Sequence, residues 1–272
     1  MAEVDFEFFE LIAEELSSRR NRVLTRRHFE TRITGRPGRQ PRNSSPSTIV
    51  DDLAEAHSES SSAKAIQRSV EFLSEHFSRR DARLPFSYKV RTGEFRARDY
   101  EFLKFIQSAR RMRAQTAHGR SFEMAVLERL YVRVRGTVHR VGHPRDVHRT
   151  INACNAYLET LGFGKRTLKR NAGDGGFDLI WPLPFGEIPY RPLALLQCKN
   201  GQFDWTAADH SVVQCDRSMQ HHRGLAQSAH LHFVMFNGYV TPEVLPGDKM
   251  TYVPLGLSDL ARLSSLPTHI AV

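Results

Sequence analysis

Cysteine is scarce in this sequence, and long apolar runs are missing from it. The three cysteines among 272 residues form no C-x-x-C pair, and their odd number argues against a disulfide framework. No apolar run is long enough to span a bilayer, and the chain does not begin with the basic stretch and apolar core of a secretory signal. We therefore expect a soluble protein of the reducing cytoplasm with no membrane segment.

Basic residues outnumber acidic ones. The sequence has 39 Lys and Arg against 30 Asp and Glu, which gives a formal net charge of +9 and a pI near 9.8. Such a charge indicates either a polyanionic partner or a generally basic soluble protein, because net charge bears on nonspecific binding rather than on fold. The length allows one large domain or two modest domains.

The N-terminal part of the chain has the pattern of a helical region. Apolar residues recur at helical spacing in residues 6–16, 48–77 and 100–113; the first pattern has acids early and arginines late, at residues 19–22. A strand-like piece precedes the third pattern, at residues 86–90. Residues 31–47, between the first and second helical patterns, are rich in Gly, Pro, Arg, Asn and Ser. This composition is typical of either a basic arm that follows phosphates or a solvated loop.

The most informative stretch lies further along the chain. The segment Gly-Asp-Gly-Gly-Phe-Asp, which ends at Asp178, opens an apolar run, and a second apolar run carries Gln197 and Lys199. Residues two apart in a strand share a face, so Gln197 and Lys199 point to the same side. If the two runs pair as antiparallel neighbours, Asp178 reaches that surface as well. The sequence then brings an aspartate, a glutamine and a lysine together.

This set of side chains suits metal-assisted hydrolysis of a phosphodiester. The Asp178 carboxylate and the Gln197 amide oxygen are hard ligands of the kind that Mg²⁺ accepts. Lys199 is placed to orient or help deprotonate the attacking water and to steady the developing charge. The alternative is structural, with the aspartate and the lysine forming a salt bridge across a hairpin.

Gly-Asp-Gly-Gly-Phe-Asp followed by Gln-Cys-Lys resembles the PD-(D/E)xK nuclease superfamily, in the Q-x-K form of Mrr-like restriction endonucleases. The resemblance covers roughly residues 120–245. It implies an α/β (α+β) fold with a restriction endonuclease-like core, a central mixed β-sheet flanked by helices. It also implies that residues 231–236 form the strand after the catalytic lysine. Glutamine at position 197 replaces the more usual acid and removes one formal charge from the metal site.

Glu123 is the candidate for a further acid. It belongs to a predicted helix whose broad apolar face comprises Phe122, Val126, Leu127, Leu130 and Tyr131. At a hundred degrees per residue, Glu123 lies near the middle of that face, whereas Glu128 lies on the opposite side. A carboxylate in a buried stripe is costly unless it is paired or holds a metal. The alternative is that Glu123 complements the helix dipole from the first turn.

Residues 211–229 have the pattern of a polar helix. Such a helix either enters the major groove of DNA through Arg217, Gln220 and Arg223, since arginine reads guanine and glutamine reads adenine, or covers the sheet as a solvated amphipathic helix. The adjacent His221 and His222 lack the i, i+4 spacing of a helical metal site.

These patterns and the resemblance predict a Mg²⁺-dependent endonuclease that cleaves double-stranded DNA, a type II-like restriction enzyme. The resemblance implies that cleavage leaves a 5′-phosphate and a 3′-hydroxyl. Residues 119–272 form the nuclease core, and residues 1–118 form a helical, arginine-rich region for DNA binding or support. Two cuts in a duplex need two active sites, which favours a homodimer. The alternatives are an Mrr-like nuclease directed at modified DNA, a noncatalytic DNA-binding protein that retains the fold, and an RNA nuclease.

Overall fold

The computed structural model divides the chain into two compact units, Met1–Arg111 and Met112–Val272. It describes residues 2–29, 46–114, 119–134, 138–140, 178–182, 192–201, 204, 206, 230–241 and 252–261. The protein combines helices with sheets in an α+β arrangement. The predicted domain boundary, between residues 118 and 119, lies inside the second unit.

In its described residues, the first unit combines helices with a three-stranded sheet. The elements in chain order are α1 (Ala2–Ser18), β1 (Val23–Thr25), α2 (Pro46–Ala56), α3 (Ser62–Ser78), β2 (Phe86–Lys89), β3 (Glu94–Ala97) and α4 (Tyr100–Arg113), the last of which reaches the second unit. The sheet is antiparallel with the order β1-β3-β2. Helix α1 contacts α2, α3 and β1, so it forms the centre of the unit.

Phenylalanine side chains fill the core of this unit. Phe9 on α1 lies between Phe77 on α3, with ring centroids 5.5 Å apart, and Phe86 on β2, at 6.0 Å. Phe8 contacts Phe95 on β3 at 6.1 Å. Each such pair contributes about 0.5–1.5 kcal/mol beyond the burial of its area. The aromatic residues therefore hold the helices onto one face of the sheet.

His76 belongs to the same aromatic cluster. Its ring is 4.7 Å from the Phe6 ring and the residue is buried. Burial, with smaller contributions from Arg80 and Arg79, lowers the pKa of His76 to about 3. The side chain is therefore neutral at physiological pH and packs as an aromatic residue.

A buried acid joins α1 to the end of α2. Asp5 Oδ1 lies 2.8 Å from His57 Nε2, and the two side chains are 0% and 9% exposed. We expect His57→Ala to destabilise the first unit by about 3–5 kcal/mol, because it leaves the Asp5 carboxylate buried without its partner. Thermal unfolding and peptide-resolved hydrogen exchange of α1 and α2 would measure the loss.

The double variant Asp5→Leu/His57→Leu is the matched control. Apolar replacement of both partners removes the interaction without leaving a buried charge, so it should cost less than His57→Ala alone. A double variant less stable than the single one would contradict this account of the pair.

The second unit contains α5 (Gly119–Val134) and a mixed five-stranded sheet. The strands are β4 (His139–Arg140), β5 (Leu179–Pro182), β6 (Leu193–Lys199), β7 (His230–Phe236) and β8 (Val253–Leu255), in the order β4-β5-β6-β7-β8. Strands β4, β5 and β6 are antiparallel, whereas β7 and β8 run parallel to β6. The chain must cross over between β6 and β7, because parallel neighbours cannot be joined by a hairpin. The prediction of a mixed sheet is confirmed.

Several predicted elements are confirmed. They are the helices at residues 48–77 and 100–113 and the strands at residues 86–90 and 231–236. The N-terminal region is not wholly helical, however, since β1 and β3 join β2 in a sheet. These strands have three and four residues, too few for a clear apolar alternation. Residues 146–161, whose sequence has a further helical pattern, lie outside the described residues.

Two predicted boundaries are wrong. The arginines at residues 19–22 follow α1 instead of ending it, because the chain turns after Ser18 and Arg22 adopts the left-handed conformation with φ 54°. The basic segment extends only to residue 45, since α2 begins at Pro46, and proline suits the first turn of a helix. Among the described residues, no helix has the length and apolarity that crossing a membrane requires.

Candidate active site at the end of the central strand

Strands β5 and β6 form the predicted antiparallel pair. Leu179 lies opposite Leu196 and Pro182 lies opposite Leu193. Strand β6 is the central strand of the sheet; its residues 193–196 are buried and its residues 197–199 are half-buried. The polar residues of β6 therefore lie where the strand emerges from the core, and β5 begins beside them.

Asp178 is held against the backbone of β6. Its N–H donates to the Leu196 carbonyl at 2.8 Å, and its carboxylate Oδ2 accepts the Cys198 N–H at 2.7 Å. These two bonds lie on either side of Gln197 in the chain, and Asp178 is only 5% exposed. The backbone of β6 thus fixes a carboxylate beside Gln197. A carboxylate oxygen is a ligand that Mg²⁺ accepts.

Gln197 presents a buried amide oxygen. Within the described part of the chain, Gln197 Oε1 is buried and accepts no hydrogen bond. Such an acceptor costs about 1–3 kcal/mol when nothing replaces the water that it has lost. A bound cation would recover this cost, since an amide oxygen is a ligand that Mg²⁺ accepts. Asp178 and Gln197 therefore fit the requirements of a hard metal ion at this position.

Lys199 ends the strand on the same side as Gln197. The two are two residues apart in β6 and share a face, and Lys199 is half-buried. Its carbonyl accepts the Asn237 N–H at 2.8 Å, which ties the end of β6 to the end of β7. This hydrogen bond thus fixes the backbone of Lys199, whose side chain begins at the half-buried end of β6.

Two asparagines brace the ends of these strands, and neither was a predicted site residue. Asn237 is fully buried and donates through Nδ2 to Asn200 Oδ1 at 2.7 Å. Asn200 donates to the Met112 carbonyl at 2.8 Å, and Arg113 Nη1 donates to the Asn237 carbonyl at 3.0 Å. Asn200 directly follows Lys199 in the sequence, whereas Asn237 only follows the strand predicted at residues 231–236, and no sequence pattern indicated this contact.

Glu123 lies on α5, which packs against β6. Phe122, Val126 and Leu130 form the buried face of the helix, as predicted, and Glu123 is half-buried beside them while Glu128 is exposed. The acid therefore lies at the edge of the apolar face instead of its middle. Its membership in the site stays a prediction.

Metal binding by Asp178, Gln197 and Glu123 also stays a prediction. In the part of the chain that the structure describes, no three side chains from His, Cys, Asp and Glu are grouped to hold a metal ion. The predicted ligands are two acids and one amide. Because a group of three His, Cys, Asp or Glu side chains leaves the amide out, its absence from the described residues does not test this prediction. The proposed DNA-reading residues Arg217, Gln220 and Arg223 and the glycine-rich bend before Asp178 lie outside the described residues.

The chain matches no protein-family model, no curated protein and no solved structure. The function therefore has to be inferred from the chemistry of the site itself. That site consists of a fixed carboxylate, an amide oxygen without a described partner and an amine on one strand end.

Proposed function

We propose that this protein is a Mg²⁺-dependent endonuclease that hydrolyses phosphodiester bonds of double-stranded DNA. One observation carries the proposal: Asp178 is fixed on both sides of Gln197 by the backbone of β6, the strand that also carries Lys199. A carboxylate, a neutral oxygen ligand and a cation close to one another suit a reaction in which charge develops on phosphate oxygens.

Each of these residues has a separate task. Asp178 and Gln197 would hold the metal ion, with Glu123 as the third ligand if α5 brings it close enough. When bound, Mg²⁺ polarises a phosphate oxygen and lowers the pKa of the attacking water. The Lys199 ammonium orients that water and offsets the negative charge that grows on the phosphate. The products are a 5′-phosphate and a 3′-hydroxyl.

The order of the elements supports the same proposal. A helix with an acid, an aspartate at the start of a strand, a Gln-x-Lys strand and a following strand appear in the sequence in the order that the PD-(D/E)xK resemblance implies. The corresponding elements belong to or contact the mixed sheet: α5 packs against β6, β5 and β6 are antiparallel neighbours, and β7 runs parallel to β6. We propose a restriction endonuclease-like core on this basis, and a type II-like, site-specific enzyme of a restriction system that acts as a homodimer.

A noncatalytic DNA-binding protein is the second candidate. Gln197 favours it, because a neutral amide in place of an acid weakens the attraction for a divalent cation. Such a protein would bind duplex DNA and show neither metal-dependent cleavage nor metal binding at this site. An enzyme directed at modified DNA would share the catalytic residues and differ in which plasmid it cuts.

Plasmid cleavage tests the proposal. Purified protein is incubated with methylated and unmethylated plasmid, with Mg²⁺ and with EDTA. We expect discrete fragments only with Mg²⁺. Cleavage of methylated plasmid alone would identify the enzyme for modified DNA. Binding without cleavage of either plasmid would make the noncatalytic protein the better conclusion.

Gln197→Glu should strengthen metal binding. The substitution keeps the shape of the side chain and adds a negative charge where the amide oxygen is buried, so we expect the Kd for Mg²⁺ to fall roughly tenfold. Without metal the extra buried charge should lower the melting temperature, and Mg²⁺ should restore it by mass action. Calorimetry and thermal shift with Mg²⁺ alone measure both effects without using activity.

Gln197→Leu is the matched control. It has a similar volume and no oxygen, so it removes the ligand without adding charge. It should weaken the Mg²⁺-induced thermal shift. Equal Mg²⁺ responses of the Glu, Leu and native proteins would show that residue 197 is not a ligand.

A further inference from the structure

The turn between β2 and β3 and its flanks form a basic surface on the first unit. We define the hairpin surface by Lys89, Arg91 and Arg98, all of which are exposed. Arg96 of β3 is also exposed, and Arg98 follows directly after the end of that strand. The turn itself needs glycine at position 93, where φ is +59°. A Cβ added at that position would lie only 3.1 Å from the Cβ of Arg26.

The sheet register places two of the basic residues, Lys89 and Arg96, close together. Lys89 lies opposite Glu94, and Ser87 lies opposite Arg96, so Lys89 and Arg96 are diagonal neighbours about 7–8 Å apart. Phe95 and Tyr88 point to the other face, where their rings stack at 4.5 Å. The charged face of the hairpin is therefore the one turned away from the aromatic core.

The hairpin surface differs from the helices in how its charge is balanced. On α3, Arg68 pairs with Glu71 at 3.1 Å and also with Glu59, which precedes the helix, at 3.5 Å; Arg79, the residue after the helix, pairs with Glu75. On the sheet, Glu94 pairs with Arg96 at 3.0 Å. In the described structure, Lys89, Arg91 and Arg98 have no acidic partner. Three positive charges thus remain available for an anion outside the chain.

We propose that the hairpin surface binds the phosphate backbone of duplex DNA. The proposal rests on the proposed function, since an enzyme that cuts a duplex has to bind its phosphate backbone. Unneutralised arginine and lysine on an exposed face are the residues that release counterions from DNA on binding. Arginine dominates the surface, and its planar fork matches phosphate oxygens in pairs. The contact positions the protein on the duplex without reading its sequence.

Charge removal on the full-length protein tests the proposal. The triple variant Lys89→Gln/Arg91→Gln/Arg98→Gln removes three exposed charges and leaves the backbone bond from Arg98 N–H to the Pro85 carbonyl intact. Binding of a fluorescent duplex is measured by anisotropy in EDTA, which prevents cleavage, over a series of salt concentrations. An RNA stem-loop and a single-stranded DNA, each with as many nucleotides as one strand of the duplex, serve as competing probes.

The triple variant should bind the duplex about tenfold or more weakly, and the slope of log K against log salt should become shallower by about 2–3, since each phosphate contact accounts for about 0.9. The matched control is Lys64→Gln/Arg68→Gln/Arg79→Gln, which changes the net charge equally at exposed positions of α3 and at the exposed residue that follows it. It should change the slope by less than about 1.

The outcomes separate this proposal from the proposed function. An equal loss of duplex affinity in both triple variants would show that net charge alone explains the effect, and it would overturn the proposal. Tighter binding of RNA or single-stranded DNA than of duplex would overturn it as well. Plasmid cleavage with an unchanged salt slope in the hairpin variant would overturn the hairpin surface and leave the nuclease intact. A reduced slope in a protein that cleaves no plasmid would uphold the surface and overturn the nuclease.

Discussion

Asp178→Asn is expected to lower the rate of Mg²⁺-dependent DNA cleavage by about 10³-fold or more, because the site loses its fixed negative charge. Asparagine is the sharpest replacement that the structure offers. Its side-chain oxygen can still accept the Cys198 N–H that Asp178 Oδ2 accepts at 2.7 Å, and the backbone bond to Leu196 does not involve the side chain. The variant should therefore keep the junction of β5 and β6 and lose the metal.

Single-turnover cleavage of plasmid and the Mg²⁺-induced thermal shift should both be measured on this variant. We expect both to be lost, while the melting temperature without metal stays close to that of the native protein. Duplex binding in EDTA should also stay close to the native value or become tighter, since the variant removes a negative charge. Native rates of cleavage by Asp178→Asn would place the active site elsewhere.

The central part of the site could be predicted because it is local in sequence. Two polar residues at a spacing of two in an apolar run require a strand that emerges from the core, and a connection of about ten residues between two such runs favours antiparallel neighbours. The structure has both features in β5 and β6. The parallel strand β7 was also recognisable, since its run from Leu231 to Phe236 is apolar at most positions.

The parts that could not be predicted depend on contacts between distant residues. Asn237 is buried at the end of β7 and contacts Asn200, 37 positions earlier, which no spacing rule connects. Strand β4 has two residues and pairs with β5 across a long intervening segment. The short strands of the first unit's sheet also pack against phenylalanines of α1. Tertiary packing, rather than local pattern, determines these elements.

The buried amide oxygen of Gln197 links the fold to the proposed chemistry. Residues 193–196 of β6, which precede Gln197, are buried on both faces of the strand. Gln197 Oε1 is itself buried and accepts no hydrogen bond within the described residues, so it reduces stability unless a ligand binds it. Asp178 is fixed beside Gln197 by two hydrogen bonds to the backbone of β6. A site that is ordered before its ligand arrives binds that ligand at a lower entropic cost. Preorganisation of this kind supports an enzyme over a salt bridge that serves only the hairpin.

Lys199→Met is expected to slow cleavage by about 10²- to 10⁴-fold while leaving Mg²⁺ binding largely intact. Methionine keeps an unbranched apolar stem at this half-buried position and removes only the ammonium. The carbonyl of residue 199 still accepts the Asn237 N–H, so the ends of β6 and β7 should remain joined. The loss should appear in single-turnover rates and leave the Mg²⁺-induced thermal shift unchanged.

The same variant distinguishes chemistry from a structural salt bridge between Asp178 and Lys199. If the lysine serves only to pair with the aspartate, Lys199→Met and Asp178→Asn should each lower the melting temperature, and the double variant should lower it no further than one of them. If the lysine acts on the reacting phosphate, the two substitutions should affect cleavage strongly and stability little. A Lys199→Met protein that cleaves at the native rate would remove the lysine from the mechanism, because a side chain that stabilises the developing charge cannot be replaced by methionine without cost.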